Sequence, residues 1–221
     1  MNILKKLSKF NIRSLFYNFY ILPFKQAVHL PILISPNSRI KISRGGVQMN
    51  GKICPAMIQI GYNNVGTIDS KRDKTIIEIA KGGKLICNNR IKIGSGCNLS
   101  IGKSGCIDCK GILNVTARST FISHKRITFG DNVLISWDCL FMDTDFHKIF
   151  DNGNEINSPS EIIIGNNVWI GCRATILKGS EISDGCVIGA GSLINKVLET
   201  GNSIYAGTPS KLLKKDILWE V

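Results

Sequence analysis

The stretch from Ile164 to Ile194 reads IGNNVW-IGCRAT-ILKGSE-ISDGCV-IGAGSL-I, with an isoleucine at 164, 170, 176, 182, 188 and 194. Four residues after each of the first five stands a slim side chain, Val168, Ala174, Ser180, Cys186 and Ser192, and glycine follows the isoleucine at 165, 171 and 189. A period of six is neither the 3.6 of a helix nor the simple alternation of hairpin-linked strands. It suits a triangular coil of short strands. Each hexad forms one side, the isoleucine points into the prism, the slim residue sits at a cramped corner, and Gly, Asn and Asp supply the bend. Three hexads close one coil, and successive coils pair as parallel strands, each covering the open edge of the last.

The register runs upstream through Phe129, Ile135 and Phe141, with Val133 and Cys139 in the slim position, and less regularly through Ile79, Leu85, Ile91, Ile93, Ile101, Ile107 and Leu113. Before about residue 75 only fragments such as Ile60-Gly61 fit. The chain therefore divides into an N-terminal segment over 1–74, partly helical or irregular, a coil domain over 75–208, and a cap over 209–221. Leu212, Leu213, Ile217 and Leu218 have helix-like spacing, which predicts a short C-terminal helix.

Composition agrees with an all-β chain. Among 221 residues aromatics are only 7%, glycines number 22, and apolar residues reach an ordinary 43%. Eight cysteines at 54, 87, 97, 106, 109, 139, 172 and 186 follow no disulfide framework and no signal peptide, and read as reduced cytoplasmic thiols. Cys106 and Cys109 form a C-x-x-C with no second pair at zinc spacing, so they read as filler of the repeat.

Lys and Arg outnumber Asp and Glu by 28 to 16, a net charge of +12 that predicts an anionic partner. The bases are dispersed and no nucleic-acid-binding motif occurs, which sets nucleic acid behind a phosphate-rich cofactor or a membrane surface. The apolar stretch from Leu15 to Ile34 is too interrupted, by Lys25, Gln26, His29 and two prolines, to span a bilayer. With Lys5, Lys6, Lys9 and Arg13 it forms a basic, partly apolar element that suits either an anionic leaflet or packing on the main domain.

The runs Ile164-Gly-Asn-Asn-Val-Trp-Ile-Gly171, Val187-Ile-Gly-Ala-Gly-Ser192 and Ala206-Gly-Thr-Pro-Ser-Lys211 resemble the hexapeptide-repeat acetyltransferases, and among them the polysaccharide O-acetyltransferases. The resemblance covers roughly residues 127–211. It implies a left-handed parallel β-helix, acetyl-CoA as co-substrate, no metal, and a homotrimer with the cofactor groove between neighbouring subunits. Trp169, Cys172, Ala190, Lys196 and Lys211 match positions that contact the cofactor in that family. Where several members have Thr-Lys, this chain has Asn195-Lys196.

The period breaks after Phe141, where Asp143-Thr-Asp-Phe-His147 opens a polar excursion over 143–161. Excursions from a rigid scaffold are where chemistry is placed. The corresponding loop of the family carries a catalytic histidine, and His147 occupies that place. An imidazole has the pKa needed to take the proton of an attacking hydroxyl, and Asp145, ahead of Asp143, is the candidate to orient it. His124 and His29 read as structural or surface residues.

The activity implied is acetyl transfer to a hydroxyl of a saccharide, free or lipid-linked, in surface polysaccharide synthesis in the cytoplasm or at the inner membrane face. N-acetylation of an amino sugar or small amine and a non-catalytic β-helix scaffold are the alternatives. A zinc-dependent carbonic anhydrase of the same fold needs three histidine ligands across the coils, and His29 lies outside the repeat.

Overall fold

A computed structural model of the chain describes residues 11–220. Lys5, Lys6 and Lys9 lie outside the described residues. Two short helices come first, α1 (Ile12–Ile21) and α2 (Phe24–Ala27). Seven coils of three strands follow. The first is β1 (Ile32–Ile34), β2 (Ser38–Ile42) and β3 (Val47–Met49), the second β4 (Ile58–Ile60), β5 (Thr75–Ile79) and β6 (Lys84–Cys87). The third is β7 (Ile91–Ser95), β8 (Asn98–Ile101) and β9 (Cys106–Cys109), the fourth β10 (Leu113–Ala117), β11 (Thr120–Ser123) and β12 (Ile127–Phe129).

The fifth coil holds β13 (Val133–Trp137) and β14 (Leu140–Met142). It then leaves the prism through a hairpin of β15 (Phe150–Asp151) and β16 (Asn154–Glu155), and returns as β17 (Ile162–Ile164). The sixth is β18 (Trp169–Ile170), β19 (Thr175–Leu177) and β20 (Glu181–Ile182), the seventh β21 (Val187–Ile188), β22 (Leu193–Ile194) and β23 (Val197–Leu198). Last come β24 (Ile204–Ala206) and β25 (Lys211–Lys214).

Taking every third side gives three sheets, in which all neighbouring coil strands are parallel. The first sheet runs β1-β4-β7-β10-β13-β18-β21-β24-β25, the second β2-β5-β8-β11-β14-β19-β22, and the third β3-β6-β9-β12-β17-β20-β23. The chain is a parallel β-helix, the coil that its repeat predicts, with the left hand that the resemblance implies.

The inward residues stack in ladders. In the first sheet Ile60, Ile93, Val115, Ile135, Ile170, Ile188 and Tyr205 stand above one another, all buried. The second sheet contributes Phe121 and Phe141, stacked at 4.9 Å, and the third sets Phe129 edge-on to Phe141 at 5.6 Å. Cys109 is a rung of the third ladder between Cys87 and Phe129. The hexad isoleucines 164 to 194 are all inward and no more than 1% exposed.

Two boundaries differ from expectation. The coil begins at Ile32, inside the segment expected to be irregular, because the early coils carry long corners that erase the hexad period. The largest is 61–74, between β4 and β5, whose Asn63 Nδ2 donates to Asn114 Oδ1 at 2.7 Å. The expected C-terminal helix is instead β25, antiparallel to β24 with Leu212 opposite Tyr205. The free edge of the first sheet offers unpaired backbone groups that a strand satisfies and a helix would not. Leu212 and Leu213 remain 38% and 64% exposed, so no core was available to reward a helical apolar stripe.

The other end of the stack is closed by α1. Asn11 caps the helix by accepting from Ser14 N at 2.9 Å. The inward side chains then serve as a substitute strand for β1. Asn18 accepts from Ile32 N at 2.9 Å and donates to Ile32 O at 2.7 Å, and Ser14 Oγ accepts from Ile34 N at 2.9 Å. Tyr17 donates to Ile40 O at 3.0 Å and Arg13 to Ser38 O at 2.7 Å, covering β2. No helix among the described residues is long and apolar enough to cross a membrane.

Candidate active site

Asp143 starts the excursion. It is wholly buried, and its carboxylate accepts from His124 N (2.6 Å), Lys125 N (3.0 Å) and Ser123 Oγ (2.8 Å) of the coil below. Ser160 N donates to Asp143 O at 3.1 Å and closes the base of the loop. The tip is a two-residue turn at Asn152-Gly153, both with positive φ, the backbone that Asn-Gly favours in tight hairpins.

Between base and tip lies His147, exposed to solvent. Its backbone is held at both ends, the N–H donating to Asp145 O at 2.7 Å and the carbonyl accepting from Asn157 Nδ2 at 2.8 Å. Phe146 before it has φ +61, a left-handed conformation uncommon for an aromatic residue, and its ring meets that of His124 edge-on at 5.0 Å.

The Asp145 carboxylate points elsewhere than the imidazole. It pairs with Lys178 Nζ at 2.6 Å and accepts from Asn157 Nδ2 at 2.9 Å. Those two hydrogen bonds, that of Lys178 first, hold its carboxyl below the usual range. Lys178 also donates to Asn157 O, so one lysine of the sixth coil ties both strands of the excursion to the scaffold. The structure thus sets His147 and Asp145 in one loop without joining their side chains.

Asn157 and Lys178 were not singled out in the sequence. Asn157 is one polar residue among many in a polar loop. Lys178 occupies an outward place that any solvated residue can fill.

A second feature is a groove of about 230 Å³ along the corner between the first and second sheets in coils five to seven. Ser136, Trp169, Gly171, Cys172, Gly189 and Ala190 line it. Trp169 is 38% exposed, donates from Nε1 to Ser136 Oγ at 3.1 Å, and has Trp219 beside it at 6.1 Å between ring centroids. A Cβ on Gly171 would lie 2.6 Å from Ile188 O, so this wall admits only bare backbone. Three of the five predicted cofactor residues, Trp169, Cys172 and Ala190, therefore meet here. Lys196, between β22 and β23, is exposed at the next corner, and Lys211 is exposed on β25.

That next corner, between the second and third sheets, is also where the excursion leaves. The groove and His147 thus lie on different edges of one prism. Within a single chain they form two half-sites.

The profile of the bacterial transferase hexapeptide (six repeats) family matches residues 161–196. Galactoside O-acetyltransferase of Escherichia coli (strain K12) is 37% identical over 99 residues, 43% of this chain and 47% of that protein. A 24.8 kDa protein in the cps region of Klebsiella pneumoniae is 29% identical over 205 residues, 91% of this chain and 87% of its own length. Polysialic acid O-acetyltransferase of Neisseria meningitidis is 34% identical over 121 residues, 51% of this chain and 55% of that protein. The matches to the two acetyltransferases thus span about half of each. Fold and repeat define a hexapeptide-repeat β-helix. The chain thus carries the bacterial transferase hexapeptide repeat over residues 161–196 and is similar, over part of its length, to two O-acetyltransferases.

Proposed function

We propose that the chain transfers the acetyl group of acetyl-CoA to a hydroxyl of a saccharide, with His147 as general base. The observation that carries this reading is His147 itself, the histidine of an excursion whose base, middle and return are each tied to the coil. A solvent loop with no task has no need of such anchoring. The O-acetyltransferase names of the relatives, one acting on polysialic acid, support a saccharide hydroxyl as the acceptor.

A sugar hydroxyl is barely ionised at neutral pH. As its oxygen bonds to the acetyl carbonyl carbon, the imidazole of His147 takes the proton. The carbon–sulfur bond then breaks, and the imidazolium returns the proton to the departing thiolate of coenzyme A. No acyl-enzyme and no metal ion enter this sequence. The role of Asp145, with Asn157 and Lys178, is to fix the loop that presents the imidazole, making it a positioning residue.

Acetyl-CoA fits the corner groove, where Trp169 and the bare backbone at Gly171 and Gly189 accept a slender pantetheine arm. Lys211, and Lys196 from the excursion edge of a neighbouring copy, supply charge for its phosphates. Because groove and His147 occupy different prism edges, the reaction calls for a neighbouring copy, and a homotrimer lets each loop serve the next subunit's groove. The acceptor belongs to surface polysaccharide synthesis, free or lipid-linked, in the cytoplasm.

The test is mass-spectrometric detection of acetylated product from acetyl-CoA and a panel of free and lipid-linked saccharides, for wild type and His147→Ala. The expected loss in turnover is about 10²–10⁴-fold, with the unfolding midpoint unchanged because the side chain is exposed. Equal product from both proteins removes His147 from the mechanism. Product on amino sugars alone replaces oxygen by nitrogen as the acceptor, and none from either favours a scaffold.

A further inference from the structure

α1 is amphipathic in the inverted sense. Its polar residues Asn11, Ser14 and Asn18 turn inward, where they hydrogen-bond the edge of β1. Its outward face is Ile12, Leu15, Phe16, Phe19 and Tyr20, continued by Phe24 of α2. Exposures run from 41% at Tyr20 to 83% at Ile12. Phe16 stacks on Tyr20 at 5.5 Å, and Phe19 lies 5.9 Å from Phe24, two ring pairs on the one outward face. A helix at a protein surface ordinarily presents these residues to the core, and an aromatic patch of this extent on an outer face marks an interaction site.

The charge around the patch has one sign. The first 68 residues contain nine Lys and Arg and no Asp or Glu, so nine of the twelve net positive charges fall in the first third of the chain. Arg44 lies over the Tyr20 ring at 5.7 Å. Arg13 spends its donors on the neutral carbonyls of Pro36 and Ser38, leaving its charge uncompensated. Lys41 pairs with Glu78, but no ion pair among the described residues joins Lys25, Arg44 or Lys52 to a carboxylate.

From this juxtaposition we infer that the α1 end of the coil docks on an anionic lipid bilayer. Ile12, Phe16, Phe19 and Phe24 enter the interface, and Arg13, Lys25 and Arg44 meet the headgroups. An apolar-aromatic face ringed by bases is the chemistry of an interfacial helix. Anionic lipid supplies the countercharge that the chain itself lacks there. The inverted helix reconciles two demands on ten residues, since hydrogen bonds seal the coil edge inward while the outward face is left for lipid. This inference does not depend on the acetyl-transfer reading.

The experiment is co-sedimentation of the full chain with large unilamellar vesicles, either phosphatidylcholine alone or phosphatidylcholine with phosphatidylglycerol. It compares wild type with Phe16→Gln/Phe24→Gln and with Lys25→Gln/Arg44→Gln. Binding is expected only to the anionic vesicles and to fall as salt rises, with each double variant at least about tenfold weaker and no change in melting temperature. Transfer to a soluble saccharide, where it occurs, is expected to stay at the wild-type level in both variants. The inference is overturned by absence of binding at low salt, by equal binding to both vesicles, or by variants that bind like wild type. It is equally overturned if wild type self-associates through this face and Phe16→Gln/Phe24→Gln dissolves that association.

Discussion

Of the eight cysteines, Cys54 and Cys172 alone are partly open to solvent. Burial pushes the thiols of Cys87 and Cys97 up to about 12 and that of Cys139 to about 11, so at neutral pH they are both covered and protonated. Thiolate is the reactive form. Alkylation of the native protein is therefore expected to modify two cysteines quickly and six only on unfolding. Acetyl-CoA is expected to protect Cys172, which lines the groove, and to leave Cys54 unprotected, as read by peptide mass mapping. Labelling of Cys172 unaffected by saturating acetyl-CoA would move the cofactor out of the groove. At this scale Trp169, Cys172 and Ala190 were named by the resemblance alone, and they share a corner because Cys172 and Ala190 lie one full coil apart with Trp169 on the strand before them. The loop half was legible only as His147, since aperiodic residues such as Asn157 reveal their partners only through the fold.

Among the elements, α1 seals the open edge of β1. Asn18 satisfies the N–H and the carbonyl of Ile32 at once, and both groups are buried. Asn18→Ala removes both partners, at a cost of about 1–3 kcal/mol for leaving such groups unpaired. Urea unfolding should show that loss, with the earliest amide exchange at Ile32. A variant as stable as wild type would mean that the strand edge is satisfied by water. The pairing was not legible beforehand, because Asn11, Ser14 and Asn18 read as ordinary polar residues until the strand they cover is known. The hexad register from Phe129 onward was legible because the inward position takes an apolar side chain, aliphatic or aromatic, at fixed spacing. It faded before residue 75, where corners such as 61–74 insert more residues than the sides they join. The final strand misled for a different reason, since Leu212, Leu213, Ile217 and Leu218 satisfy a helical spacing that counts for nothing without a surface to bury it.

For the whole molecule, the excursion leaves Phe146, Ile149, Phe150 and Ile156 each more than half exposed, an apolar surface on the loop that bears His147. Side-by-side packing of copies would cover it and bring each loop to a neighbour's groove. Light scattering coupled to gel filtration should therefore give three times the 24.3 kDa of one chain. Mixing inactive His147→Ala subunits with subunits disabled in the groove by Trp169→Ala should restore part of the activity that each lacks alone. A monomer that turns over would confine the chemistry to one chain. The antiparallel β25 has a separate consequence. A parallel coil with a bare end is a template onto which another chain can add its own first turn, and so on without limit into a fibre. By reversing direction and setting Lys211 and Lys214 on the outermost strand, β25 ends that sheet as a terminus instead of a growth point, giving the rod a fixed length.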